Sequence, residues 1–450
     1  MKTAPLLGGL LGLGLLMLTG CGGSDSPVVG TDSGPTPLPS TQLPGTGTGA
    51  GFDLARSALA RDLAPATSNS ELGALVAGNT AFAFNLYQRL AVNEGNLAFS
   101  PHSISVALAM VYAGAKGVTG AEIAQALAFN LGEPALHRAF NALDLALASR
   151  GANAAGKDGK PFRLRTVNAA WAQRGYPFVP GYLDTLARNY GAGLNVLDFL
   201  TTTEPSRRTI NAWVADQTEQ RIPELLPEGS VTSLTRLVLT NAVYFNAAWA
   251  SPFKLGSTAP APFRLLDGSE VRVPTMVQSQ DFRYAHVDDI TALEMPYDGD
   301  EVSIVLMMGG ADFKGFEAAL APSSYAKVVA ALAPTQVEVH LPKFESRSKA
   351  GLVPVLQALG MREAFVAGMA DLSGIDGQRE LFVSDILHEA FVLLDEAGTE
   401  AAAATGVIVG VTSIGPEPVT VRFDRPFVYV IRDVATGAIL FIGRVLDPRG

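Results

Sequence analysis

Thiol chemistry is almost absent from this chain. Cys21 is its single cysteine in 450 residues. No internal disulfide can form, so packing alone must hold the fold. Histidine is nearly as scarce. His102, His137, His286, His340 and His388 fall in no HExxH arrangement, and neither a GxSxG elbow nor a P-loop is present. No close His/Cys/Asp spacing suggests a metal. Basic runs are missing too, and the net charge is −10, which gives nucleic acid nothing to bind. The GTGTGAG at 45–51 has no strand before it and no βαβ unit around it, so it is no dinucleotide loop. These absences leave no cofactor, no metal and no catalytic residue to name. A dispersed Ser-His-Asp triad leaves no local signature, and a hydrolase therefore stands as one alternative with no nucleophile motif behind it.

What is present is apolar. Hydrophobic residues make up 48%, enough for a sizeable core. Residues 1–20 carry Lys2 and then a short glycine-rich apolar stretch, which reads as a signal peptide rather than a membrane span. It ends in Leu18-Thr19-Gly20-Cys21, which resembles a bacterial lipoprotein box with Cys21 as the lipidated residue. That would anchor the protein to the cell envelope without spanning the bilayer. Residues 21–69, rich in Gly, Ser, Thr and Pro, read as a disordered tether, with a short helix expected over Phe52–Leu63. The globular domain is expected over 70–450.

Within it, helices dominate early and strands late, which predicts an α+β fold rather than βαβ repetition. Helical spacing covers Leu72–Leu90, Ser103–Tyr112 and Thr119–Leu127, the last with Thr119 as cap and Glu122 three residues on. Leu237–Trp249 reads as a long buried strand, Phe382–Leu394 as the passage into a loop, and the chain from Val419 as three further strands.

That loop organises the chain. Asp395-Glu396-Ala397-Gly398-Thr399-Glu400 leads into Ala401–Ala404, Thr405, Gly406 and a β-branched run. No proline falls between Glu396 and Gly415; Pro416 and Pro418 come first. The segment has a loop's composition, yet it keeps every backbone N–H and ends in strand-forming residues. It is suited to be a loop in one state and a central strand in another. As a strand it would put Thr399, Ala401, Ala403 and Thr405 on one face, all small enough for a packed interior.

The stretch DEAGTEAAAATG resembles the reactive-loop hinge of serpins. Five further blocks, in family order over about residues 70–450, resemble the same family: Asn96-LAFSPHSISVALAMVYAGAKGVTGAEIAQAL, Val167-NAAWAQRGYPFVPGYLDTLARNYGAGLNVLDF, Leu239-TNAVYFNAAWASPF, Val337-EVHLPKFESRSKAGLVPVLQALGMREAF and Phe423-DRPFVYVIRDVATGAILFIGRVLDP-Arg449. The resemblance implies a serpin fold with three β-sheets, eight to nine helices and an exposed reactive loop. It implies a monomeric, irreversible inhibitor of serine endopeptidases that is not itself an enzyme, or, as the alternative, a non-inhibitory serpin that binds or chaperones. It assigns Ser100, Ser103, Asn241 and His388 to a polar cluster behind the central sheet, and Trp249 to the top of that sheet. Glu396 and Lys343 become a pair at the loop's base, and Glu396, Gly398, Thr399, Ala401, Ala403 and Thr405 the hinge. Family spacing, sixteen residues on from Glu396, puts the reactive bond at Thr412–Ser413, and the loop's slightly longer far side leaves Val411 as the runner-up for the scissile residue. No flanking residue is basic or a large aromatic, which favours an elastase- or subtilisin-like target.

Overall fold

The protein is described here by a computed structural model covering residues 51–399 and 417–450, apart from 157, 158, 160 and 161. Cys21, the tether up to residue 50, Ala401, Ala403, Thr405 and the Thr412–Ser413 bond lie outside the described residues. The chain runs β1 (Asp53–Ala55), α1 (Asn69–Leu90), β2 (Leu97–Phe99), α2 (Pro101–Tyr112), α3 (Gly117–Ala126), α4 (Ala135–Ala148), β3 (Arg163–Gln173), α5 (Pro180–Tyr190), β4 (Leu194–Leu197), α6 (Thr203–Gln217) and β5 (Leu237–Ala248). Next come β6 (Ala259–Arg264), β7 (Glu270–Val287), β8 (Ile290–Pro296), β9 (Val302–Met308), α7 (Phe313–Ala318), α8 (Pro322–Ala331), β10 (Ala333–Pro342), β11 (Phe344–Gly351), α9 (Val353–Ala358) and α10 (Ser373–Asp376). The last elements are β12 (Val383–Asp395), β13 (Gly398–Thr399), β14 (Val419–Arg422), β15 (Phe427–Asp433) and β16 (Ile439–Val445).

The fold is α+β. Ten helices occur among the described residues, against eight to nine expected. The excess lies in α7 and α10, of six and four residues and too short for periodicity to reveal. The central sheet runs β1-β4-β3-β5-β13-β12-β11. The other two expected sheets join into one network, because the long β7 pairs with β6 and β10 along most of its length and with β8 at its end. Strands β9, β15 and β16 are buried at every residue, so they read as largely apolar runs, broken by the buried Ser303, Arg432, Asp433 and Arg444. Helix α2 starts at a Ser100 cap with Pro101 in its first turn. It packs on β16 on one side and on β3 and β5 on the other, so it needs apolar residues all round.

Two local expectations fail for tertiary reasons. Helix α3 begins at Gly117, and Thr119 caps nothing. The Thr119 hydroxyl instead accepts from the Asp371 N–H and donates to Glu363, while the Glu122 carboxylate takes the N–H groups of Arg362 and Glu363. Residues 52–63 form no helix, and the ordered body begins before residue 70. Strand β1 pairs antiparallel with the outer edge of β4, and Phe52 sets its ring edge-on to Trp171 at 5.0 Å. A free strand edge and an aromatic seat outweigh weak local propensity.

Candidate functional site: the gap between two central strands

The site lies where β5 and β12 part. Over their lower length the two strands pair directly in parallel, from Val383↔Leu237 to Phe391↔Tyr244. Within that stretch His388 faces Asn241, and across β5 Asn241 faces Asn168 of β3. Three polar residues thus form a row over three strands, with Ser103 of α2 beneath. Ser100 N–H donates to His388 Nε2 at 3.2 Å, so that nitrogen is an acceptor and the proton sits on Nδ1, which donates to Asn241 Oδ1. Asn241 Nδ2 donates to Ser103 Oγ at 2.6 Å and to Asn168 Oδ1. Ser103 Oγ also donates to Asn168 Oδ1 at 3.0 Å, and Asn168 Nδ2 returns a bond to Ser103 O at 3.2 Å. Ser100 enters the row through its backbone; its hydroxyl caps α2 by accepting the Ser103 N–H. All five residues are buried, and their bonding is mutual. Burial on that scale is tolerable only while the network stays closed.

Above the row the strands splay, and the loop's first residues fill the gap. Gly398 and Thr399, as β13, pair antiparallel with both Asp395–Leu394 of β12 and Ala248–Ala247 of β5. Only glycine fits at 398: its φ is +142°, and an added Cβ would stand 2.2 Å from Ala247 O. The Thr399 hydroxyl is buried against Tyr297 Oη at 3.0 Å. Tyr297 stacks on Trp249, ring centres 4.7 Å apart. Trp249 Nε1 donates to Asp395 O, its backbone N–H to Ala397 O, and Phe253 N–H to Glu396 O, at 2.8–2.9 Å. Lys343 Nζ lies 2.8 Å from Glu396 Oε2, and Thr258 Oγ1 donates to Glu396 Oε1 at 2.8 Å. Burial pushes the Glu396 carboxyl up, but Lys343 and Thr258 outweigh it and hold it below its usual range. Among the described residues, no cluster of three or more His, Cys, Asp or Glu side chains is arranged to hold a metal.

This arrangement is a sheet with a strand-wide slot already started at its top, and a chain segment threaded into the start. Comparison with known proteins gives it a family. A family model for serpins, serine protease inhibitors, matches residues 77–448. The chain is a serpin. It is similar to leukocyte elastase inhibitor A of Mus musculus, 38% identical over 386 residues that span 83% of this chain and 99% of that protein. It is 38% identical to an uncharacterized serpin-like protein of Thermococcus kodakarensis, over 82% of this chain and 84% of that one. Among solved structures, uncleaved ovalbumin covers 83% of this chain and is itself covered completely, with TM-score 0.73 and 27% identity. The native state of the thermophilic serpin tengpin matches at TM-score 0.77, 24% identity and 88% coverage of this chain, all of tengpin being matched. Serpins inhibit proteases; they are not catalysts.

The serpin geometry brings together Ser100, Ser103, Asn241 and His388 in one cluster, and Trp249, Lys343, Glu396, Gly398 and Thr399 in another. Two members escaped the sequence reading. Asn168 stands among apolar residues in the strand block Val167-NAAWAQ, and an asparagine at the centre of a buried strand was the available signal. Tyr297 precedes the Asp298–Gly299 turn and carries no signal for its contact with Thr399, which lies 102 residues away.

The row makes this serpin's sheet sensitive to acid. Burial lowers the His388 pKa to about 3, and the Ser100 N–H occupies the lone pair a second proton would need. An imidazole released to solvent titrates near 6.5. Between those values the closed sheet binds fewer protons than an opened or unfolded one. Stability from this group is complete above pH 6.5 and falls as pH drops below it, by at most ~1.4 kcal/mol per unit. His102, also lowered by burial, adds to the slope. The expected result is a melting temperature that is level from pH 8 to 7 and declines from 6.5 to 5. An unchanged slope in His388→Gln would remove the row from this account.

Proposed function

We propose that this serpin irreversibly inhibits a serine endopeptidase of the elastase or subtilisin type by cleavage and insertion of its reactive loop. The observation that carries the reading is the hinge at Glu396–Thr399. Its Gly398 and Thr399 are already seated between β5 and β12, and after Glu400 only small residues follow up to Gly406. The target's serine attacks the carbonyl of Thr412. An ester forms between them, the peptide bond breaks, and Ser413 leaves as a new N-terminus. The loop then enters the slot as a full strand, parting His388 from Asn241, and carries the acylated protease away before water reaches the ester. All bond-making groups belong to the target. The residues around Thr412 lack a cation or large aromatic side chain, which disfavours trypsin- and chymotrypsin-like pockets. The similarity to leukocyte elastase inhibitors supports the same class. A gel-shift panel of elastase-, subtilisin-, trypsin- and chymotrypsin-like proteases is expected to give denaturant-resistant complexes with the first two. Mass spectrometry of the released peptide is expected to begin at Ser413. A cut outside 409–415, complexes with trypsin-like enzymes only, or cleavage with no complex at all would reject the proposal; the last result would indicate a non-inhibitory serpin.

The inhibitor is further proposed to act at the cell envelope, held by lipid on Cys21. Cys21→Ser is expected to shift the protein from the membrane fraction to the soluble one. Unchanged fractionation would count against the anchor.

A further inference from the structure

Residues 51–62 do more than lead into the fold. They bridge two parts of the molecule that loop insertion must move apart. For a strand to enter, β5 and β12 must separate from one strand spacing to two, from about 4.8 Å to about 9.6 Å. The β1-β4-β3-β5 half of the sheet then shifts away from β12 and β11. At its start the N-terminal segment grips that moving half. Strand β1 pairs with β4, Asp53 accepts from Arg174 Nη2 at 2.8 Å, and Phe52 sits against Trp171 of β3, whose ring meets Trp213 of α6 at 5.3 Å. At its other end the segment grips helices behind the sheet. Ser57 Oγ donates to Asp184 of α5 at 2.6 Å, and Asp62 N–H to Arg188 O at 2.9 Å. Arg61 donates to Asn141 Oδ1 at 2.8 Å and Asp144 Oδ2 at 2.6 Å on α4, while Asn141 Nδ2 returns to Asp62 O at 2.6 Å. Helix α4 packs on α1, and α1 on β16 and α9, elements that lie outside the β1-β4-β3-β5 half of the sheet.

The fit is built rather than incidental. An added Cβ at Gly193 would stand 2.6 Å from Ala55 O and 2.8 Å from Arg56 Cβ, so a side chain there would lift the segment off β4. Leu54 and Arg56 also help line a cavity of about 40 Å³ together with Asn168 of the polar row. The segment therefore lies over the same strand that carries one end of the latch.

We propose that residues 51–62 are a strap that brakes opening of the central sheet and so sets how fast the loop inserts. The inference rests on the insertion reading above. The strap acts on the barrier and not on the loop, so loosening it speeds strand entry and locking it slows entry.

A labelled peptide of the sequence 399–410, TEAAAATGVIVG, tests this without any protease. Its uptake by the full-length protein reports sheet opening alone. Phe52→Ala and Arg61→Gln are each expected to take up peptide about tenfold faster than the parent, the scale on which loss of one anchoring contact lowers a barrier. The exposed Leu63→Ala is expected to match the parent. In a Cys21→Ser background, Leu54→Cys with Asn195→Cys joins directly opposed positions of β1 and β4. When oxidised it is expected to be at least tenfold slower than when reduced with dithiothreitol. Because that comparison uses one variant in two states, it holds even if the loosened variants fold poorly. Equal rates throughout, or faster uptake in the oxidised form, would overturn the strap while leaving insertion intact. No uptake by any form would overturn both.

Discussion

A single cut within 406–415 is expected to raise the melting temperature by roughly 10–20 °C. Among the described residues, Gly398 and Thr399 are the part of the loop that stands in the slot. Cutting frees the segment behind them to continue between β5 and β12. About a dozen further residues then gain ladder bonds on two sides, each worth ~0.5–1.5 kcal/mol net. The gain, on the order of 10 kcal/mol, is reduced by breaking the direct β5–β12 pairing and the His388–Asn241 bond. In a domain of about 380 residues, about 1 kcal/mol moves the midpoint by roughly 1–2 °C. Differential scanning calorimetry before and after limited proteolysis measures it. A midpoint that stays or falls after the cut would contradict insertion.

Thr399→Arg is expected to turn the inhibitor into a substrate. Thr399 is buried beneath Tyr297 and bonded to its hydroxyl. An arginine there would bury an uncompensated cation, at a cost of roughly 3–5 kcal/mol, or else withdraw the hinge from the slot. Either outcome slows insertion by about a hundredfold or more, so hydrolysis of the acyl-enzyme wins. Ala401→Pro reaches the same end by deleting a backbone donor. The readout is the ratio of cleaved product to covalent complex on a denaturing gel. Full complex yield in both variants would refute the mechanism.

Both predictions start from features that were visible in the sequence. The absence of proline from Glu396 to Gly415 and the run of small residues are one-dimensional facts, and they already say that this segment can become a strand. The strand Leu237–Ala248 was legible because burial on both faces demands a largely apolar run. The helix over Pro101–Tyr112 was legible from its length and its proline start. Other elements were hidden by their partners. Thr119 and Glu122 form an apparent capping box whose donors come instead from Asp371, Arg362 and Glu363. The polar run around Phe52 looked like the end of a tether because its partners, β4 and Trp171, are more than a hundred residues away.

The sequence by itself determined the family, the α+β class, the hinge and the identity of most of the residues that line the slot. Each depends on residue type, order or local period. Only the tertiary structure decided that Gly398 and Thr399 stand in the slot, that Asn168 and Tyr297 complete the two clusters, and that the N-terminal segment is laid along the sheet edge as β1. Each of these is a contact between segments far apart in the chain, and its free energy comes from excluding water and satisfying buried donors at that contact. No local pattern records such a contact until the chain has closed around it.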